Sequence, residues 1–343
     1  MPGLNEATLE PDLAICDPHH HLWIREGWGR YLLEEFTADI AASGHRVERT
    51  VFVDAHAFYS PNRPKGFEFV AETEVMTGIA AMSESGLFGP TQVCAGIVGR
   101  ADLQMGAAVA EVLEAHIAAG AGRFRGIRAA GAWHASDQIR NAHTNAPPEL
   151  YGRTDFREGF AKLAEYGLTF EAWQYHTQIP DVVALARAFP DTPIMLNHVG
   201  GPLGIGPYKG KHDEVFQAWS PAIRELATCP NVFVKLGGLG MPISGFGFHK
   251  RGHPPGSEEL AAAWRPYIET CLAAFGMDRA VFESNFPVDR ITCSYGVLWN
   301  TFKRIAAGCS AQEKAALFRD NAMTFYRLDD PAPILAPTSG RRA

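Results

Sequence analysis

Asp17-Pro18-His19-His20-His21-Leu22-Trp23 closes the short apolar run Leu13-Ala14-Ile15-Cys16, and this junction decides how the chain is read. The run has the length and composition of a strand. Side chains alternate across a strand, so His19 and His21 share a face and His20 points the other way. Two imidazoles on one face at a strand end can reach one ion or one substrate atom, and that spacing commonly builds half of a metal site. Read blandly, three successive histidines are only a polar strand end. The rest of the chain favours the metal-site reading, because it supplies a matching scaffold.

Seven more β-rich runs lie downstream, at Arg49–Asp54, Gln92–Val98, Phe124–Ala129, Leu168–Gln174, Pro193–His198, Asn231–Leu236 and Ala280–Ser284. Several, such as Thr50-Val51-Phe52-Val53, lack polar alternation, as expected of parallel strands covered on both faces. Helical stretches lie between them, at Phe67–Ser83, Met105–Ala119, Asp155–Tyr166, Ile179–Phe189, Glu214–Thr228, Ser257–Phe275 and Tyr295–Ala307. Eight β/α units in one undivided chain predict a single (β/α)8 TIM-type barrel over residues 1–328. A doubly wound sheet would want a glycine fingerprint after the first strand, where this chain has histidines. Residues 329–343, rich in Pro, Ala and Arg, read as a mobile tail.

Composition narrows the function. The chain has 343 residues, 46% hydrophobic, with a formal charge of −7. No basic cluster advertises nucleic acid, and no apolar run is long enough for a bilayer. The six cysteines are scattered without a C-x-x-C pair. With no signal-peptide pattern at the start, this points to a reducing cytoplasm and a small-molecule substrate, with no nucleic-acid or membrane partner. A homo-oligomer is compatible with the sequence, which leaves the oligomeric state open.

Barrel enzymes place their sites at the C-terminal ends of strands. His19 and His21 end strand one, His198 ends strand six, and Glu283 and Asn285, two apart and so on one face, end strand eight beside strand one. Arg128, near the end of strand four, is placed to bind a substrate carboxylate or carbonyl, or to pair with a neighbouring acid. Lys235, inside strand seven, reads as tied to a barrel carboxylate. His176 and Tyr175 follow strand five. Asp289 lies beyond Pro287 and reads as solvated. The long loop Gly237–Gly256 exceeds the roughly 2–6 residues of an ordinary connection and is expected to cover the mouth and supply apolar walls. Trp23 and Phe248, with His249, are candidates for lining the pocket.

Asp17-x-His19-x-His21, Leu196-Asn197-His198-Val199-Gly200, Val234-Lys235-Leu236 and Phe282-Glu283-Ser284-Asn285-Phe286-Pro287-Val288-Asp289 together resemble amidohydrolase family 2. That group includes lactonases of sugar lactones and of pyrone dicarboxylate, and related decarboxylases. The resemblance implies that His19, His21 and His198 are metal-binding or substrate-polarising histidines, with one divalent ion, zinc first, and a metal-free site as the alternative. It also marks a departure, because the family's strand-eight aspartate is here Asn285. An amide cannot take a proton from water. Glu283, where the family has glycine, is expected to carry the missing charge as the base, with His176 as a further candidate for handling the proton. The function implied is hydrolysis of a lactone or other cyclic ester of a small organic acid by activated water. Alternatives are a metal-dependent decarboxylase of an aromatic or enoic acid, an amide hydrolase, and a non-catalytic small-molecule binder.

Overall fold

The computed structural model describes residues 4, 6–141 and 144–329. The expected tail lies, from residue 330 on, outside the described residues. Eight parallel strands pair in sequence order: β1 (Ile15–His20), β2 (Val47–Val53), β3 (Gln92–Gly99), β4 (Phe124–Ala130), β5 (Thr169–Trp173), β6 (Ile194–Leu196), β7 (Val232–Leu236) and β8 (Ala280–Phe282). Every residue of β1, β4, β6 and β8 is buried, because both faces of the sheet are covered; β6 and β8 are wholly apolar, while β1 and β4 bury Asp17, His19, His20, Arg125 and Arg128. The ring closes just past the end of β8. Asn285 N donates to His19 O (2.9 Å) and His21 N donates to Phe286 O (2.7 Å). Asp17 adds a second clasp, accepting from Ser284 N (3.0 Å) and from the Tyr295 hydroxyl (2.9 Å).

The outer layer comprises α1 (Leu33–Ser43), α2 (Val70–Glu84), α3 (Val109–Ala119), α4 (Thr154–Glu165), α5 (Ile179–Ala188), α6 (His212–Ala227), α7 (Ser257–Phe275) and α8 (Tyr295–Ile305). The helix α1 is additional to those expected from the sequence, and the third helix begins later than Met105. Gly106 has φ 58° and breaks that start into a separate turn, so the α-helix begins only at Val109. After α8 come α9 (Ala311–Ala315) and α10 (Asn321–Phe325). Met323, Phe325 and Tyr326 pack on Cys16, Val51, Val98, Met195 and Val281, side chains from five strands, and so stopper the barrel. A two-stranded hairpin, Trp23–Arg25 with Gly29–Tyr31, follows β1 and is likewise additional. Among the described residues no helix is long and apolar enough to cross a membrane.

β6 and β8 are shorter than the sequence suggests. They stop at Leu196 and Phe282 because the chain turns into the left-handed region at His198 (φ 53°), Val199 (φ 47°) and Asn285 (φ 52°). Such backbone costs about 1–3 kcal/mol per non-glycine residue and persists only where the surroundings hold it. Here it re-aims two of the candidate site residues.

Candidate active site

His19 and His21 do share a face: their Nε2 atoms are 3.3 Å apart. The His198 ring joins them, 4.6 Å from that of His19. His20 points away, stacked on Phe36 and bonded to the Thr50 hydroxyl (2.8 Å). His21 Nδ1 donates to Val53 O (2.7 Å), since a carbonyl only accepts, and this leaves the Nε2 lone pair free. Burial, reinforced by the nearby cations Lys235 and Arg128, holds His19 well below the usual histidine range, and burial and Arg128 do the same for His21. These two imidazoles are therefore neutral, the form that binds metals or accepts protons.

Glu283 bridges His19 and His198. Its Oε1 accepts from His198 Nδ1 (2.6 Å) and His198 N (3.2 Å), and its Oε2 lies 2.7 Å from His19 Nδ1. Gly237 and Gly238 make room for this. A Cβ on Gly237 would sit 2.5 Å from Glu283 Cγ, and one on Gly238 would sit 2.5 Å from the His198 ring. Below, Lys235 Nζ donates to Glu171 Oε2 (2.8 Å) and lies 3.2 Å from His19 Nδ1. Glu171 also accepts from the Tyr326 hydroxyl and the Asn197 amide. Lys235 is thus paired with a barrel carboxylate, a partner the sequence does not single out.

His19, His198 and Glu283 each offer a ligand atom, all within 4.8 Å of one another. The 3.3 Å between the Nε2 atoms of His19 and His21 is also about what two nitrogens on one tetrahedral zinc require at roughly 2.0–2.1 Å each. The donor set fits a single divalent ion.

Asn285 and Asp289 differ from expectation. Asp289 is fully buried rather than solvated, because the turn Asp289–Ile291 tucks it beneath the β7 loop. Its Oδ1 accepts from Asn285 Nδ2 (2.9 Å) and its Oδ2 from Gly240 N (3.1 Å). Burial pushes its carboxyl up to about 8. A carboxyl raised in the folded state keeps a proton that the unfolded chain releases, so its stabilising effect is lost as pH rises from about 4 to about 8. Asp17, raised by burial to about 6, adds to the slope at the lower end of that window. Below about pH 6.5 the buried neutral histidines oppose this slope, because the unfolded chain protonates them. Thermal melts are therefore expected to show a falling midpoint between about pH 6.5 and 8, which Asp289→Asn should flatten. Parallel curves for the two proteins would contradict this assignment.

The cluster opens into a cavity of about 170 Å³ whose polar wall carries His21, His198, Asn285, Arg128 and Arg25. Trp23, Trp173 and Met241 supply apolar surface. Arg128 Nη1 stands 3.3 Å from His19 Nε2. The structure thus brings His19, His21, His198, Glu283, Asn285, Arg128 and Trp23 together. Four other candidates do not line this cavity. His176 Nδ1 accepts from Leu203 N (3.4 Å) and its ring meets Tyr208 edge-on. Tyr175 donates to Arg140 O within a small cluster with Ala132, Ile139 and Leu203. Phe248 stacks with Phe246 under Arg251, and His249 follows it in the same turn, away from the cavity. Of the loop after β7, Gly238 and Met241 reach the site, while Phe246 turns to His212 and Tyr267 in the helical layer. Arg25 is a site residue absent from the sequence-based candidates. Glycines at 27 and 29 after Trp23-Ile24-Arg25 are the available hairpin signal.

Known proteins share this arrangement of strands. The chain is 36% identical over 344 aligned residues to the uncharacterized protein y4mH of Sinorhizobium fredii, covering 92% of this chain and 99% of that one. An L-fucono-1,5-lactonase of Burkholderia ambifaria is 27% identical, over 92% of this chain and 96% of its own length. The crystal structure of an amidohydrolase from Burkholderia multivorans with bound zinc superposes with a TM-score of 0.69 at 22% identity, covering 92% of this chain and 99% of that one. The amidohydrolase family profile matches residues 16–328, from the second residue of β1 to the end of the barrel's stopper, and the chain belongs to that family of enzymes.

Proposed function

We propose that the protein hydrolyses a lactone or other cyclic ester of a small organic acid, with His198 as the base and Glu283 as the group that positions it. The observation that carries this is the pair itself. Glu283 is fully buried and does not line the cavity, whereas the His198 ring does, and its Nδ1 is 2.6 Å from the carboxylate. A carboxylate accepting the Nδ1 proton fixes the tautomer that leaves Nε2 free to take a proton from water, and it stabilises the imidazolium that forms. His198 Nε2 then returns the proton to the leaving alkoxide as the ring opens. Arg128 holds the substrate's acid group or carbonyl, and Trp23 and Trp173 exclude bulk water. The lactonase relative from Burkholderia supports this class of substrate.

A divalent ion held through the Nε2 atoms of His19 and His21 would polarise the carbonyl and ease ionisation of water when bound, leaving His198 Nε2 free as the base. Zinc is the first choice for a nitrogen-rich set of this size. The deciding experiment monitors ring opening by proton release on a panel of sugar and carboxylated lactones, before and after chelation, with metal content measured in parallel. Turnover of at least one lactone is expected. Carbon dioxide release from aromatic acids with no lactone turnover would favour decarboxylation, and tight binding with neither reaction would favour a binder.

A further inference from the structure

The turn after β2 presents three successive carbonyl oxygens to two guanidinium groups. Asp54 O accepts from Arg128 Nη2, and Ala55 O and His56 O both accept from Arg25 Nη2, the last at 3.3 Å. His56 has φ 55°, which turns its carbonyl to the same side. The turn is held from behind by acids. Asp54 Oδ1 accepts from His56 N (3.3 Å) and the Tyr59 hydroxyl (2.5 Å), and Glu72 accepts from Ala55 N (3.3 Å) and Ala57 N (2.8 Å). Burial and the Asp54 charge hold the Glu72 carboxyl well above its ordinary range, so the two acids do not supply two full negative charges.

Carbonyls orient a guanidinium without cancelling its charge. The carboxylate oxygen Asp54 Oδ2 is 3.8 Å from Arg128 Nη2, and the buried Nε of Arg128 has no hydrogen-bond partner. Arg25 is fixed further by lying over the Trp23 ring at 5.0 Å. Both arginines line the same cavity, beside His21. Two fixed cations on one wall, with the Asp54 carboxylate behind them, form a receptor for a planar anion.

We propose that Arg25 and Arg128 together grip one carboxylate of the substrate, and that Arg25, carried on the hairpin, determines whether a carboxylated substrate is preferred to a neutral one. This deepens the lactonase reading and rests on it for the reaction, but the receptor itself is independent of turnover. A substrate held this way is the cyclic ester of an acid that keeps a second, free carboxylate, in contrast to a neutral sugar lactone.

The test is binding of benzoate against benzamide, a charged and a neutral ligand of similar shape. It is read by calorimetry and by quenching of tryptophan fluorescence, since Trp23 and Trp173 line the cavity. The wild type is expected to prefer benzoate by about tenfold or more, as charge-assisted pairs outweigh neutral ones. Arg25→Gln should lower that preference about tenfold, while Arg25→Lys, which keeps the charge without the fork, should retain part of it. No preference in the wild type, or an unchanged preference in Arg25→Gln, would overturn the proposal. If Arg25→Gln does not fold, Arg25→Lys carries the comparison. A carboxylate preference in a protein that opens no lactone would sink the reaction reading and leave the receptor standing; lactone turnover without the preference would do the reverse.

Discussion

Glu283→Gln is expected to lower lactone turnover by about 100-fold or more while leaving the barrel folded. Glutamine is nearly isosteric and can still accept from the His198 amide and Nδ1. It no longer carries the charge that stabilises a protonated His198, and its amide nitrogen would face His19 Nδ1, which lies 2.7 Å from the carboxylate in the native site. The loss should therefore fall on kcat rather than on substrate binding, because the carboxylate does not touch the cavity. Steady-state kinetics on the best lactone, with a thermal melt as the folding control, decide the matter. Full activity in a folded Glu283→Gln protein would rule out the His198–Glu283 pair, and the proton would have to be handled elsewhere.

Lys235→Met should have the largest effect on stability, a loss of roughly 3–5 kcal/mol, because it leaves a buried carboxylate without its cation. Lys235 and Glu171 are both fully inaccessible to solvent, and their ion pair is 2.8 Å long. Tyr326 and Asn197 would still donate to Glu171, but neither carries charge. Removing both charges, in Lys235→Met with Glu171→Gln, should recover much of the loss, since two neutral groups need no mutual compensation. Urea unfolding of the two single variants and the double variant measures the coupling directly. A Lys235→Met protein as stable as the wild type would show that the neutral donors suffice. The same variant should also affect the site, because Lys235 Nζ is 3.2 Å from His19 Nδ1.

The barrel is legible because buried parallel strands write themselves as short apolar runs, and Thr50-Val51-Phe52-Val53 has little other use. The histidine pair is legible because alternation along a strand is a strict geometric rule. Two kinds of information are not. Alternation assigns a face but not a depth, so it places Glu283 on the lumen side without showing that its carboxylate is taken up by two imidazoles. Loop geometry leaves almost no periodic trace. Asp289 looks solvated because it follows a proline in a connection, and its burial depends on Gly240 passing within hydrogen-bonding distance. Arg25 escapes notice because strands of three residues carry too little pattern to detect. His176, Tyr175, Phe248 and His249 are attractive for their residue types alone, and their positions depend on how each loop leaves its strand.

The closure between β8 and β1 has a consequence for how the molecule comes to life. The bonds that join last strand to first are made by His19, His21, Asn285 and Phe286 and by the clasp at Asp17. The weld lies in the chemical centre, not along the staves. A chain with seven joins made and the eighth open has most of its secondary structure, yet His19 and Glu283 have no reason to meet. The bonds that complete the ring are thus the same ones that hold the candidate site together.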